Sequence, residues 1–325
     1  MLGWREFNFV RVVRVMVIVS VKHVVFSLYV FSLSYTYLRG ARRFKIVRHL
    51  TDVWMIISPI NVLMYLFSKK SLNKPYISLD EFKELDVFQE NWQAIRDEAL
   101  TLYKNSNIKQ KLEKDDVGFY DLGFYSFLKS GWNRFYLKWY DTDFGSAEKL
   151  CPKTLAMVRA VPSVKAAMFA LLPPGAKLNL HRDPYAGSLR YHLGLSTPNS
   201  DLCNIIVDGQ TYSWRDGKAV MFDETYLHEA VNKSDQDRLI FFCDVERPIR
   251  FSLVRLINKY FSKFIMSNAC APNLTGDKSG IINKIFSYVY VLRLQAKKLK
   301  AWNELVYKIS EYSLLIAAAY FIFIW

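Results

Sequence analysis

From position 164 onward, apolar and polar residues alternate in short bursts. Residues 189–195 alternate strictly, with Arg190, His192 and Gly194 on one side and Leu189, Tyr191, Leu193 and Leu195 on the other. Before them, residues 165–172 are apolar and extended, Pro173-Pro174-Gly175 turns the chain, and 177–180 leads into His181. After them, 202–207 and 211–214 flank Asp208-Gly209, a hairpin signal. Arg215-Asp216-Gly217 turns into 219–222, and 238–245 closes the series. Short strands between tight turns predict a sandwich or jelly-roll barrel. Upstream the spacing changes. Ser78-Leu79-Asp80-Glu81 reads as a capping box. Phe82, Leu85, Phe88, Trp92, Ile95, Ala99 and Leu102 then follow at steps of three and four, which predicts an amphipathic helix serving as scaffold. Residues 69–76 form a polar linker, and no internal repeat is visible.

Both ends are more apolar. Residues 12–38 are nearly all apolar, with Arg14, Lys22 and His23 as interruptions, and 24–38 is the cleanest stretch. A span needs about 20 apolar residues, which is met if a helix starts near Val17 and Lys22 snorkels. Residues 312–325 carry no charge and reach spanning length only by including Lys308 and Glu311. A buried core helix is the alternative for each end. The flanks Arg39, Arg42, Arg43, Lys45, Arg48 and Lys297, Lys298, Lys300 both lie on the core side. The positive-inside rule then predicts both termini outside and the core in the cytoplasm, although Arg5, Arg11 and Arg14 weigh against it. Residues 53–67, with Pro59 and Asn61, read as an interfacial or re-entrant segment. The expected organisation is an anchor and interfacial segment (1–68), a catalytic domain (69–250), and C-terminal helices ending in a second anchor (251–325).

Composition supports this picture. The chain of 325 residues is 51% hydrophobic and carries a formal net charge of +14. A basic balance suits anionic partners. Without a zinc-finger or RNP-like motif, lipid is favoured over nucleic acid. Cys151, Cys203, Cys243 and Cys270 form no CxxC pair, which argues against a zinc ribbon and for a reducing compartment.

The candidate chemistry lies inside the strand region. His181-Arg182-Asp183 is answered by His228, and Arg238 follows. In a strand, positions two apart share a side. His181 and Asp183 can therefore reach one metal, with His228 brought in by a barrel. Two imidazoles and a carboxylate form the facial triad of non-haem Fe(II) oxygenases. Arg238 offers a planar fork for a carboxylate, suggesting a keto-acid cosubstrate. Arg190 and His192 point inward and need partners. A dicarboxylate would supply them, or, for Arg190, a structural pair with Asp223, Asp244 or Glu224. Asp244 is likewise a possible partner for Arg238.

Several stretches between 91 and 248 resemble the aspartyl/asparaginyl β-hydroxylase family of Fe(II)/2-oxoglutarate dioxygenases. They are Pro174-Gly175, His181-Arg182-Asp183-Pro184, residues 189–195, Phe222-Asp223, His228-Glu229 and residues 238–241. With its apolar ends, the chain is most similar to the membrane-bound members that 2-hydroxylate lipid A in Gram-negative bacteria. The resemblance implies a mainly β fold with a double-stranded β-helix (jelly-roll) core, flanking helices and hydrophobic membrane segments at both ends. It also implies Fe(II) on His181, Asp183 and His228. 2-Oxoglutarate would be held near the metal by Arg190 and His192, with Arg238 on its distal carboxylate. O2 would be consumed, CO2 and succinate released, and C2 of a lipid A acyl chain hydroxylated at the cytoplasmic face of the inner membrane. Two departures stand out. Some members that hydroxylate proteins have Gly where this chain has Asp183, and members can carry Ser where Ala170 stands. Two other readings remain open: an anchored hydroxylase of protein Asp or Asn, and a non-catalytic jelly roll that binds lipid or a partner.

Overall fold

A computed structural model describes residues 3–108 and 112–323, with the side chains of 21–108, 112–313 and 317. Its strands, in chain order, are β1 (Tyr76–Ile77), β2 (Asn133–Trp139), β3 (Thr142–Asp143), β4 (Val164–Leu172), β5 (Lys177–His181), β6 (Ser188–Ser196), β7 (Cys203–Val207), β8 (Gln210–Ser213), β9 (Ala219–Phe222), β10 (His228–Asn232) and β11 (Arg238–Glu246). A larger sheet runs β1-β9-β6-β11-β4-β2-β3, and a smaller one runs β5-β10-β7-β8. All pairings between these strands are antiparallel. From β4 to β11 the chain repeatedly crosses between the sheets. Four strands lie in each sheet, which is the connectivity of a jelly roll. The barrel expected from the alternation is therefore present.

The alternation also sets the two environments. Arg190, His192, Arg238, Ile240 and Phe242 line a cavity between the sheets. Their neighbours face a helical layer instead, as Phe241 and Tyr191 do against Phe88, with ring centroids 5.0 and 6.2 Å away. Both faces of β6 and β11 are thus covered, and all but their last residues are buried. The apolar face goes outward to the helices because the inner face carries the polar chemistry. At the β7–β8 turn, Asp208 and Gly209 both have positive φ, 49° and 88°, as the predicted hairpin requires.

Gly194 sits where β6 meets the loop before β9. A Cβ there would come within 2.1 Å of the Arg215 carbonyl oxygen. Gly194→Ala is expected to displace that loop at a cost of about 1–3 kcal/mol. The check is a lowered melting temperature.

Three expectations change. The helix predicted over 82–102 is broken into short turns, Asp86–Glu90, and a helix over Trp92–Lys104. Asn91 interrupts it, with its side-chain amide donating to the Val87 carbonyl at 2.8 Å. Phe82, Leu85, Phe88, Ile95, Ala99 and Leu102 are nevertheless buried, as the periodicity required. Second, the capping box is one 3-10 turn. Ser78 accepts from the Asp80 amide, while Glu81 pairs with Lys69.

Third, the two membrane spans are not found. Among the described residues, no helix is long and apolar enough to cross a membrane. Side chains 12–20 and most of 312–325, where both spans were partly expected, lie outside the described set. The helix Gly3–Leu38 carries Lys22 and His23, and its flank with Ser32 and Thr36 is buried. Ser32 bonds Ser58 at 2.8 Å, and Tyr35 stacks on Tyr65 of the helix Ser58–Phe67. The basic flank after it also docks on protein. Arg39 donates to Asp223 at 2.6 Å, and Arg42 pairs with Glu229 at 2.8 Å. These two cations meet carboxylates of the barrel rather than headgroups. Toward the other end, Asn303 breaks the helices Ile281–Trp302 and Glu304–Phe323.

Candidate active site

The site begins with strand register. β5 and β10 pair with His181 opposite His228, at the end of one strand and the start of the other. Their ring centroids are 4.1 Å apart. Each Nδ1 is tied to a carbonyl of its own chain, His181 to Asn179 at 2.6 Å and His228 to Tyr226 at 2.9 Å. Such bonds fix the ring and leave Nε2 as the free donor atom. Asp183 lies past the end of β5, so strand alternation does not place it. Its amide donates to the Glu224 carbonyl at 2.9 Å, which holds the loop against the end of β9. The carboxylate stands 3.7 Å from Nε2 of His181. Ligand atoms of His181, Asp183 and His228 all lie within 4.8 Å of one another.

The electrostatics suit a cation. Burial lowers the pKa of His181, and it takes His228 down to about 3, helped by the neighbouring His181. Both rings are neutral near pH 7. Burial works against the Asp183 carboxylate, but the Arg190 guanidinium leads the neighbours that hold its pKa below the usual value. Neutral imidazoles and an ionised carboxylate are the forms that bind metal. By donor set and by protonation, these residues fit a divalent cation.

Two spaces meet at this cluster. An inner cavity of about 40 Å³ runs between the sheets, past His192 to Arg238. An outer cleft of about 540 Å³ opens toward solvent. His181, Arg190, Phe124 and Phe127 line both. The Phe127 ring sits 4.7 Å from the His181 ring. Both spaces therefore reach the triad from different sides.

The inward polar residues divide into two kinds. Arg190 is paired with protein carboxylates. It pairs with Asp183 and with Asp244, the latter at 3.0 Å. Asp244 is its cross-strand partner on β11. This is the structural pairing that competed with cosubstrate binding in the sequence. Arg190 therefore orients a candidate ligand, with each of its three nitrogens bonded to Asp183 or Asp244. Arg238 is the opposite. It is 2% exposed, and its Nε and Nη2 have no hydrogen-bond partner among the described residues. Asp244 does not reach it. The guanidinium lies over the Trp214 ring at 4.4 Å. Burial lowers its pKa to about 10. Both ring nitrogens of His192 are likewise buried with no hydrogen-bond partner among the described residues. An unpaired buried cation is costly, so the inner end of this cavity is built for an anion. That fits a carboxylate cosubstrate.

Sequence reasoning missed Trp214 and Phe127. Neither lies in a motif, and only the folded barrel brings them in. Ala170 on β4 is the register partner of Ile240 and lines the same cavity as Arg238. Ala170→Ser would place a hydroxyl there. It is expected to tighten binding of a carboxylate cosubstrate by roughly ten- to a hundredfold, the worth of one hydrogen bond to a charged group. Steady-state titration checks this.

Residues 89–248 match the family described as aspartyl/asparaginyl beta-hydroxylase. An ornithine lipid ester-linked acyl 2-hydroxylase of Rhizobium tropici is 41% identical over 128 residues, covering 39% of this chain and 45% of the relative. Human aspartate beta-hydroxylase domain-containing protein 2 is 28% identical over 210 residues, covering 57% and 53%. The chain spans about half the length of these relatives. A Pseudomonas putida prolyl-4-hydroxylase structure aligns with a TM-score of 0.32 and 15% identity, covering 49% of this chain and 87% of its own. That likeness is too slight to argue from.

Proposed function

We propose that this chain, which belongs to the aspartyl/asparaginyl β-hydroxylase family through residues 89–248, is an Fe(II)/2-oxoglutarate-dependent hydroxylase of C2 on a membrane-lipid acyl chain. One observation carries the reading. A His-Asp-His cluster sits between a cavity ending in an unpaired arginine and a wide apolar cleft. Fe(II) would be held by His181, Asp183 and His228. When bound with 2-oxoglutarate, it supplies O2 activation, so that O2, the keto-acid and a C–H bond become CO2, succinate and C–OH.

The chain's own residues do the rest. Arg238 receives the distal carboxylate and fixes the keto-acid's direction. His192 lies between Arg238 and the triad and has unused ring nitrogens for the cosubstrate. Arg190, braced by Asp244, holds the Asp183 carboxylate in place. Phe124, Phe127, Phe222 and Phe242 keep the inner cavity dry.

For the acceptor, the cleft supports an acyl chain. Its walls include Phe44, Trp54, Leu122, Ile265, Ile285 and Val289. The acyl 2-hydroxylase relative acts, by its name, on an ornithine lipid. The +14 charge favours a bisphosphorylated lipid A acceptor at the cytoplasmic face of the inner membrane. A protein Asp or Asn acceptor is the second reading, favoured by the human relative's name.

The test is mass spectrometry of lipids from cells expressing the intact protein or its His181→Ala variant. One added oxygen on a lipid A acyl chain, present only with the wild-type protein, is the expected result. The same oxygen on an ornithine lipid would move the headgroup. An added oxygen on a protein Asp or Asn with lipids unchanged would overturn the acyl reading.

A further inference from the structure

Outside the site, apolar side chains stand in water in a regular pattern. On the helix Ser252–Phe261 and the turn after it, Leu253, Leu256, Tyr260 and Phe264 are 46–58% exposed, at helical steps of three and four. Only Val254 and Asn258 of the helix Ser252–Phe261 are buried. The helix Ile281–Trp302 repeats this, with Ile281, Ile285, Tyr288 and Leu292 exposed at the same steps. A third segment adds Val47, Val53 and Ile56, each about 70% exposed. Amphipathic helices of a globular domain turn such stripes toward the core. Here they face outward, and patches of this extent mark interaction surfaces.

Two further observations identify the partner. The three segments converge on the mouth of the outer cleft, which Trp54, Ile265, Ile285 and Val289 line while remaining partly exposed. The surrounding charge has one sign. From 247 to 303 the chain has eleven Lys and Arg and a single acidic residue, Asp277. Arg255, Lys259 and Lys263 are exposed beside the first stripe, and Lys284 and Arg293 beside the second. An outward apolar stripe edged by cations is the signature of a helix lying in a membrane interface.

We propose that these three segments form a monotopic docking face for an anionic lipid leaflet. The face seats the cleft mouth at the boundary between headgroups and acyl chains, about 5–10 Å deep. An acyl chain then enters the cleft sideways, without the lipid leaving the bilayer. No helix need cross the membrane for this. Only the direction of substrate entry rests on the acyl acceptor proposed above. Docking itself is independent of turnover.

The test uses the full chain and vesicles of phosphatidylethanolamine with phosphatidylglycerol. The four native cysteines are buried, so Leu256→Cys gives one accessible site for a fluorescent label. On bound vesicles, lipid-borne quenchers are expected to reach the label and aqueous ones are not. The double variant Leu256→Glu with Phe264→Glu is expected to bind at least about tenfold more weakly, given the apolar area withdrawn. Its thermal shift with 2-oxoglutarate should be unchanged, showing an intact fold. Binding should fall with added salt and on neutral phosphatidylcholine vesicles.

A label that stays in water on bound vesicles overturns the proposal, and so does a double variant that binds like wild type. A vesicle-free oligomer that the double variant converts to monomer also overturns it, because a second copy would then cover the face. The two readings fail separately. Inserted protein that leaves lipid unmodified defeats the acyl acceptor alone. Modified lipid with a water-exposed label defeats the docking face alone.

Discussion

Replacing His228 with alanine is expected to abolish turnover and most Fe(II) binding while leaving the barrel folded. His228 is 4% exposed and starts β10, with its Nδ1 already committed to the Tyr226 carbonyl. It forms one cluster with His181 and Asp183, their ligand atoms within 4.8 Å of one another. Losing an outer partner of a metal ligand costs 10- to 100-fold in affinity. Losing a ligand itself should exceed that, at least about a hundredfold. The fold should tolerate the change because burial keeps this ring neutral, so no buried ion pair is broken. Anaerobic Fe(II) titration with circular dichroism checks both parts. Full iron affinity in a folded His228→Ala protein would remove the triad from the mechanism. His181→Ala should behave alike. Asp183→Ala should also be severe, and Arg190 would then keep its ion pair with Asp244.

Much of this was legible in the sequence. Strict alternation over 189–195 fixed which residues of β6 look inward, and Asp208-Gly209 fixed a turn. The His-x-Asp spacing named the cluster, although a loop hydrogen bond to Glu224 delivers Asp183, not strand geometry. What escaped was set by register and by side of burial. Arg190 faces Asp244 because β6 and β11 pair in one register. The pattern offered Asp223, Asp244 and Glu224 with equal plausibility. Asn91 interrupts a helix that periodicity favoured, with its side chain bonded to the Val87 carbonyl. β2, with Asn133, Arg134 and Lys138 among its residues, shows no alternation that would mark it as a strand, yet all of it but Lys138 is buried. The stripes on 253–264 and 281–292 have ordinary helical periodicity. Periodicity gives the existence of an apolar face and not whether core or solvent receives it.

The second large effect separates ligand binding from stability by its sign. Arg238→Met is expected to raise the half-saturation concentration for 2-oxoglutarate by a factor of hundreds, while the ligand-free protein melts no lower than wild type. The first part follows from removing the cationic partner of a buried carboxylate, worth about 3–5 kcal/mol. The second follows from what Arg238 lacks. Its Nε and Nη2 have no partner among the described residues, and burial pushes its pKa down to about 10. A depressed pKa on a base means that the charged form destabilises the fold at neutral pH. An apolar chain of similar length relieves that cost and keeps contact with Trp214. Saturating 2-oxoglutarate should therefore raise the melting temperature of wild type and not of the variant. Arg238→Lys keeps the charge but loses the planar fork, so it should recover only part of the affinity. A structural role for Arg238 predicts the reverse pattern, with a lower melting temperature and an unchanged requirement for 2-oxoglutarate. Titration and thermal scans on the same preparations decide between the two.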